Sequence, residues 1–257
     1  MGRALSAYDW PLILAYHSVS TRRTDALAVR VEAFEEQMAW LRRQGYHALT
    51  LADLAARPSR ERRRAVALTF DDGYADNHSC AFPILKRYGF VATVFVVTDH
   101  VGTDRLFSWD VPKVRNEADR SAYQALTWDQ LGEMQDHGFE VGSHTCTHPE
   151  LPAVSEERGR EEVQRSRRDL ETRLGRPIAS FCYPRGKLDA AVLRMVERSG
   201  YRWGVVTAKR SGIPHGPLTL RRVGIYQGDG ATRFRIKVNP LVRRSWEPAL
   251  WVRGRRG

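Results

Sequence analysis

The feature that most constrains the fold is a regular alternation of short apolar runs with amphipathic helical segments. In residues 31–44, for example, Phe34, Met38 and Leu41 fall on one stripe of a helix, and Gly45 follows as its stop. Such an alternation predicts one α/β domain with a mostly parallel sheet. We expect strands over residues 12–16, 46–51, 65–69, 91–97, 139–143, 178–183 and 201–207, and helices over residues 31–44, 128–137, 155–174 and 189–200, with a further helix ending at residue 88.

The charge balance favours acidic partners. The 257 residues include 41 Lys and Arg against 30 Asp and Glu, a formal net charge of +11, which suits nucleic acid, anionic glycans or a membrane surface. The sequence shows no zinc finger, helix-turn-helix or aromatic single-strand-binding motif, so no specific nucleic acid partner is expected. Part of the charge lies in a basic tail, residues 231–257, where Trp246 and Trp251 stand among arginines. This tail is either solvated or a candidate for peripheral contact with an anionic surface.

The cellular compartment is inferred from features that the sequence lacks. No apolar run approaches the roughly 20 residues of a membrane span, and the first residues lack the apolar core of a secretory signal. The sequence has only three cysteines, Cys80, Cys146 and Cys182. A small, odd number of cysteines argues against a disulfide framework. We therefore expect a cytoplasmic protein with reduced thiols and no transmembrane segment.

Two adjacent acids follow the predicted strand 65–69. Asp71 and Asp72 stand where this strand opens into a turn, and Gly73 supplies the backbone freedom to turn sharply. One carboxylate can bind a cation while its neighbour handles a proton. An ordinary Asx-type turn is the alternative interpretation of an isolated Asp-Asp-Gly.

Two histidines follow the predicted strand 139–143. His144 and His148, four residues apart, share one face of a helical turn and can reach one cation together. With Asp72 they would form a two-histidine, one-carboxylate set with open positions, which is a catalytic metal pattern. If the segment is extended instead, Cys146 shares their face and becomes a ligand. We favour the helical turn, because Pro149 indicates that the chain is turning; a chance histidine pair with structural roles is the remaining alternative.

Taken together, these motifs resemble the polysaccharide deacetylases that share the NodB homology domain, carbohydrate esterase family 4. The resemblance rests on Thr69-Phe70-Asp71-Asp72-Gly73 and on His144-Thr145-Cys146-Thr147-His148, and it extends to Leu14-Ala15-Tyr16-His17 and Tyr183-Pro184-Arg185-Gly186. It implies a distorted (β/α) barrel in a single domain. We divide the chain into an N-terminal extension (1–11), a deacetylase-like catalytic domain (12–230) and the basic tail (231–257).

The resemblance also implies an activity, the hydrolysis of an N-acetyl group on an amino-sugar-containing glycan or glycoconjugate. By position, Asp71 would be the general base, and Asp72, His144 and His148 would hold a divalent ion, typically Zn²⁺. Such an ion polarises the acetyl carbonyl and activates water, while the nearby carboxylate takes the proton. The expected partner is therefore an N-acetylated glycan or sugar conjugate.

The chain departs from the family pattern at two points. Many members carry an arginine that braces the catalytic base at the position of Cys182, so the brace is either missing or supplied by Arg185. The backbone N–H at Arg185 is also the expected oxyanion donor. Many relatives have a late general-acid histidine in a Leu-x-His motif, but none follows Leu218 here. His17, at the end of the first predicted strand, is the better substitute as acid or substrate contact, and His215 is the weaker one.

Several alternatives stay open. The region 98–124 is predicted to be a long functional loop whose Trp109 and Tyr123 either stack on sugar rings or pack within the loop. An acetyl ester or cyclic amide hydrolase could use the same scaffold. The missing late histidine and Cys182 would also suit a catalytically retired glycan-binding module, although the retained Asp71 argues against it. Nucleic-acid binding rests on charge alone.

Overall fold

The computed structural model describes residues 11–207 and 215–243, and in these residues seven parallel strands close into a barrel. The ring consists of β1 (Leu12–Tyr16), β5 (Ala65–Phe70), β6 (Thr93–Val96), β7 (Glu140–Ser143), β8 (Ser180–Cys182), β9 (Trp203–Thr207) and β10 (Leu220–Gly224). β1 closes the ring, because Leu14 lies opposite Leu68 of β5 on one side and Val223 of β10 on the other. The predicted (β/α) barrel is therefore confirmed.

Three further strands lie outside the ring. β4 (His47–Leu49) extends the sheet beyond β5, whereas β2 (Ser18–Val19) and β3 (Ala28–Val29) form a small parallel pair of their own. The helices connect the strands and cover the barrel: α1 (Val31–Arg43), α2 (Leu51–Ala56), α3 (Phe82–Tyr88), α4 (Glu117–Ser121), α5 (Trp128–Asp136), α6 (Glu156–Leu174), α7 (Ala190–Arg198) and α8 (Ala231–Val238).

The helix boundaries follow local chemistry that the sequence displays. At the start of α5 the Thr127 hydroxyl accepts from the Gln130 N–H while the Gln130 side chain accepts from the Thr127 N–H, a complete capping box. At the start of α7 the Asp189 side chain accepts the N–H of Val192, which is a simple N-cap. Gly89 ends α3 with a left-handed φ of 66°, which costs glycine little.

The core lies both inside the barrel and between the barrel and its helices. All five residues of β1 are buried, because one face of the strand lines the barrel interior and the other meets the helices. The predicted apolar stripe of α1 is fully buried and packs on the barrel through the rings of Phe34, Tyr16 and Phe70, whose centroids are 5.2 to 6.0 Å apart. Each such side chain contributes roughly 1.5–3 kcal/mol of apolar burial.

The main disagreement with the predicted elements is β10, for which no strand was predicted. Its sequence, Leu-Arg-Arg-Val-Gly, has two adjacent arginines and lacks the continuous apolar run of the other barrel strands. The predicted loop 98–124 is also not wholly irregular, since it contains α4 and a 3₁₀ turn at Val111–Lys113.

The predicted basic tail begins with α8, whose Phe234 packs edge-on against Trp40 of α1 with ring centroids 5.8 Å apart. The remainder of the tail from residue 244, including Trp246 and Trp251, and residues 1–10 of the predicted extension lie outside the described residues. None of the helices within the described ranges is long and apolar enough to cross a membrane.

Candidate active site

The carboxyl ends of the barrel strands surround a cleft of about 430 Å³. Parallel strands bring their carboxyl ends to the same edge of a barrel, so residues far apart in sequence meet there. The two acids follow β5 directly, His144 follows β7 and His17 follows β1. The cleft is lined by His17, Leu27, Asp71, Asp72, Trp109, Lys113, His144, His148, Tyr183, Arg185, Gly186, Thr207 and Tyr226.

Asp71 is held by a buried arginine. Two nitrogens of the Arg222 guanidinium donate to the two carboxylate oxygens of Asp71, each over 2.6 Å, and both residues are only 3% exposed. The same guanidinium also donates to the hydroxyls of Thr69 and Thr207. Burial alone would raise the pKa of Asp71, but the charge and hydrogen bonds of Arg222 outweigh it and hold this pKa well below its ordinary value. Asp71 is therefore a carboxylate at neutral pH.

Asp72 faces the two histidines instead. Its Oδ1 lies 3.5 Å from Nε2 of His144 and 3.6 Å from Nε2 of His148. These separations suit a shared cation, because two ligand atoms about 2.1 Å from one tetrahedral ion stand about 3.4 Å apart. Nδ1 of His144 lies 2.8 Å from the carbonyl oxygen of Cys182, which fixes the ring with Nε2 toward Asp72. The donor set and its spacing therefore fit a divalent cation such as Zn²⁺.

The two imidazoles differ in their affinity for protons. Burial lowers the pKa of His144, but its acidic neighbours, Cys182 and Asp72 among them, outweigh burial and raise it above the ordinary value. Burial and the charge of His144 lower the pKa of His148 to about 4. At neutral pH His148 is thus already in the unprotonated form that a metal ion requires.

The prediction of a helical turn between the two histidines is wrong, and so is the extended alternative. Thr145 and His148 have φ of 70° and 61°, and no helix forms between residues 144 and 148. The irregular turn still brings the imidazoles together, with ring centroids 4.7 Å apart. Cys146 is turned away from them, since its Sγ lies 3.4 Å from the carbonyl oxygen of Glu162. The cysteine is therefore not grouped with Asp72 and the histidines.

Backbone strain is concentrated at this site. Among the described residues, five other than glycine have positive φ, and four of them, Asp72, Thr145, His148 and Arg185, belong to the motifs around the cleft. Such conformations cost on the order of 1–3 kcal/mol each and persist only where surrounding contacts impose them. Their concentration here supports a functional role for the cleft.

His17 lies at the cleft, near Asp71. Its Nε2 is 3.9 Å from Oδ2 of Asp71, and its side chain is 17% exposed. The backbone at His17 is fixed by the side-chain amide of Asn77, which donates to the His17 carbonyl oxygen over 2.7 Å. His215, the weaker candidate for a general acid, is not among the residues that line the cleft.

The brace of Asp71 comes from Arg222, not from Arg185. The Arg185 side chain is 52% exposed and pairs with Glu150 at 3.5 Å, although the residue lines the cleft. Cys182, which stands where many relatives have the bracing arginine, lies against the Asp71–Arg222 pair and contacts both partners through Sγ. Sequence reasoning missed Arg222. The available signal was Leu220-Arg221-Arg222, in which an arginine stands where the Leu-x-His pattern has its histidine.

The two loop aromatics have different positions. Trp109 lines the cleft, and its ring stacks on Phe107 and contacts His148, both with centroids 4.6 Å apart. Tyr123 instead lies against the Arg23 guanidinium at 4.4 Å, so it packs on the segment between β2 and β3. Of the two, only Trp109 is available to a sugar ring in the cleft.

Comparison with known proteins identifies the relatives of this barrel. The family model described as polysaccharide deacetylase matches residues 59–204. The chain is 31% identical to the YxkH protein of Bacillus subtilis over 198 residues. This aligned region covers 76% of this chain and 63% of that protein. It is 32% identical over 155 residues to the poly-beta-1,6-N-acetyl-D-glucosamine N-deacetylase of Escherichia coli, covering 55% of this chain and 22% of that one. The chain thus spans less than two thirds of the length of both relatives.

A solved structure shares most of the architecture. The deacetylase PplD of Streptococcus pyogenes, determined in complex with acetate, superposes with a TM-score of 0.73 at 25% sequence identity. The match covers 90% of this chain and 98% of that one, so the similarity extends beyond the segment that the family model matches.

Proposed function

Because the chain belongs to the polysaccharide deacetylase family, we propose that it hydrolyses an N-acetyl group on an amino-sugar-containing glycan or glycoconjugate with the help of a divalent metal ion. The observation that carries this proposal is the division of labour between two adjacent acids. Asp71 is held as a carboxylate by Arg222, whereas Asp72 faces two histidines at metal-ligand spacing. A binding module would have no use for a braced base beside a cation site.

Asp72, His144 and His148 would hold the ion, with zinc as our first choice for this donor set. When bound, a zinc ion polarises the acetyl carbonyl and lowers the pKa of a water molecule. The role that we assign to Asp71 is to accept a proton from the water molecule that attacks the carbonyl carbon. The depressed pKa of Asp71 keeps it ionised across the neutral range, because Arg222 favours its charged form.

The proton must then reach the departing amine, and His17 is the residue that we assign to this step. It lines the cleft at the end of β1, and its Nε2 lies 3.9 Å from Asp71. As the C–N bond breaks, His17 would donate a proton to the nitrogen of the amino sugar. Arg185 also keeps a proposed role, in which its backbone N–H, at a φ of 56°, donates to the oxyanion that forms on the acetyl carbonyl.

The substrate proposal follows from the relatives and from the shape of the cleft. The Escherichia coli relative is named for deacetylation of poly-β-1,6-N-acetyl-D-glucosamine, and the Streptococcus pyogenes deacetylase was solved with acetate. Trp109 offers an aromatic surface against which a sugar ring can pack beside the metal-ligand residues. We therefore propose an N-acetylglucosamine unit as the group that enters the cleft.

The test is acetate release from β-1,4- and β-1,6-linked N-acetylglucosamine oligosaccharides, with the protein stripped of metal and then reloaded with zinc. We expect release to require the metal and to fall by about 10²–10⁴-fold in Asp71→Asn and in His17→Gln. Metal content should be unchanged in both variants. His215→Gln, which alters a histidine outside the cleft, is the matched control and should retain full activity.

Two outcomes would reject the proposal. One is the absence of acetate release from every such substrate, combined with glycan binding that Asp71→Asn leaves unchanged, which would indicate a binding module. The other is release that survives complete removal of metal. Equal activity of the His17 and His215 variants would reject the assignment of His17 alone.

A further inference from the structure

Glu162 is a buried carboxylate that binds the turn between the two histidines. It lies on α6, is only 1% exposed and accepts the backbone N–H groups of Cys146 and Thr147, each over 2.8 Å, through Oε2. Its other oxygen, Oε1, accepts the Thr147 hydroxyl and an Arg158 nitrogen, each over 2.6 Å. Both oxygens are therefore fully used, and three of the four bonds go to the turn.

The turn needs such a restraint because its backbone is strained on both sides of this contact. Thr145 has φ of 70° and His148 has φ of 61°, conformations that cost on the order of 1–3 kcal/mol each. The Thr145 hydroxyl accepts the N–H of His148 over 2.9 Å and so closes the turn from within. Glu162 fixes the two residues between them from outside. A turn without this contact would relax toward unstrained φ values, and His148 would move away from Asp72.

We propose that Glu162 is a positioning residue for the metal site: its carboxylate holds the turn in the conformation that directs His144 and His148 toward Asp72. The inference rests on the proposed metal binding, and it assigns a role to a residue that touches neither metal nor substrate. A carboxylate is required, because a glutamine has only one oxygen. That oxygen can accept hydrogen bonds either from the two backbone N–H groups or from the Thr147 and Arg158 donors. The NH₂ group of the glutamine would then face the remaining two donors, from which it can accept no hydrogen bond.

The chain offers a matched control in the neighbouring Glu161. Both glutamates pair with Arg158, but the Glu161 side chain is 52% exposed, whereas Glu162 reaches the turn. We would compare Glu162→Gln with Glu161→Gln in the full chain. Zinc affinity is measured by competition with a chromophoric chelator, the ligand geometry by the visible spectrum of the Co²⁺-loaded protein, and stability by thermal unfolding with and without zinc.

We expect zinc affinity to fall about 10–100-fold in Glu162→Gln, as is usual when a residue that orients metal ligands is changed. The Co²⁺ spectrum should change at saturating metal, and zinc should raise the unfolding temperature less than in the unaltered protein. Glu161→Gln should match the unaltered protein in all three measurements. If Glu162→Gln fails to fold, Glu162→Asp retains the charge but draws it back from the turn, and it should show the same losses to a smaller degree.

The outcomes separate the two claims. If the unaltered protein binds no zinc or Co²⁺, the proposed function fails and the role of Glu162 fails with it. If the unaltered protein binds zinc and the Glu162 variants bind it equally well with an unchanged Co²⁺ spectrum, the positioning role is overturned while the proposed function stands. A lower unfolding temperature that is the same with and without zinc, at unchanged affinity, would likewise reduce Glu162 to a purely structural residue.

Discussion

The ion pair between Asp71 and Arg222 gives the sharpest test of the proposed role of Asp71 as a base. In Arg222→Met the side chain remains long and apolar, but the guanidinium that donates two 2.6 Å bonds to Asp71 is lost. The Asp71 carboxylate, which is only 3% exposed, is then left without a cation that donates hydrogen bonds to it. Removing one partner of a buried ion pair costs about 3–5 kcal/mol, a large share of the roughly 5–15 kcal/mol that stabilises a typical domain.

This cost should depend on pH in a defined direction. In the unaltered protein the pKa of Asp71 lies below its ordinary value of 3.8, so the pair stabilises fully above that pH and loses its contribution only in stronger acid. Without Arg222, burial raises the pKa of Asp71 above 3.8, and the folded protein takes up a proton. The difference in unfolding free energy between the two proteins should therefore grow as the pH rises above about 4, and it should level off once the raised pKa is passed.

The assays are urea unfolding at several pH values and the pH dependence of metal-dependent acetate release, with metal content measured at each pH. We expect the acid limb of the activity profile to move up by about 1–3 pH units in Arg222→Met. Arg221→Met alters the adjacent arginine, whose side chain points to the other face of the strand, and serves as the control.

Two results would refute this reasoning about the base. The first is an unchanged acid limb together with a stability loss that is the same at every pH. The second comes from the double variant, in which Asp71→Asn should reduce the cost of Arg222→Met because no carboxylate is left unpaired. Costs that simply add would mean that the two side chains are not energetically coupled.

The remaining predictions concern the metal-binding motifs and the backbone. Cys146→Ala should keep bound zinc, measured by elemental analysis, because its Sγ faces the Glu162 carbonyl; loss of zinc would restore the cysteine as a ligand. Gly73→Ala should lower the free energy of unfolding, measured by chemical denaturation, by clearly more than the roughly 1 kcal/mol that positive φ alone would cost. The reason is that the added Cβ would lie 2.7 Å from Cγ1 of Val96. Gly45→Ala is the control, because a Cβ there meets nothing within 4 Å. Equal losses at both glycines would contradict the steric account. Arg64→Gly should raise the unfolding temperature measured by thermal denaturation, because Arg64 has φ of 58°. A lower temperature would contradict this and would mean that the guanidinium over Tyr46 contributes more than the strain.

Much of the fold could be predicted from the sequence, because its signals are local. The apolar run of β1, the stripe of α1, the Thr127 capping box and the Gly89 stop each depend on neighbouring residues alone. Their alternation was enough to predict one α/β domain with a mostly parallel sheet, whereas the barrel was implied by the family resemblance. The ends of β5 and β7 were enough to predict which acids and histidines share one edge of the sheet. The Asp72–His144–His148 grouping therefore agrees with the positions of the motifs, although its role in metal binding stays a prediction.

The rest was decided by contacts between residues distant in sequence. Arg222 pairs with Asp71, which lies 151 positions earlier in the sequence. Its strand, β10, could not be predicted from its sequence, because hydrophobic periodicity cannot distinguish a buried, paired arginine from a solvated one. The turn that brings the histidines together is neither helical nor extended, because α6 supplies Glu162 to hold a strained backbone that the turn would not adopt by itself. Local sequence thus determined which residues stand at the edge of the barrel. Only the closed barrel and its helices decided that Arg222 pairs with Asp71 and that Glu162 holds the turn between the histidines.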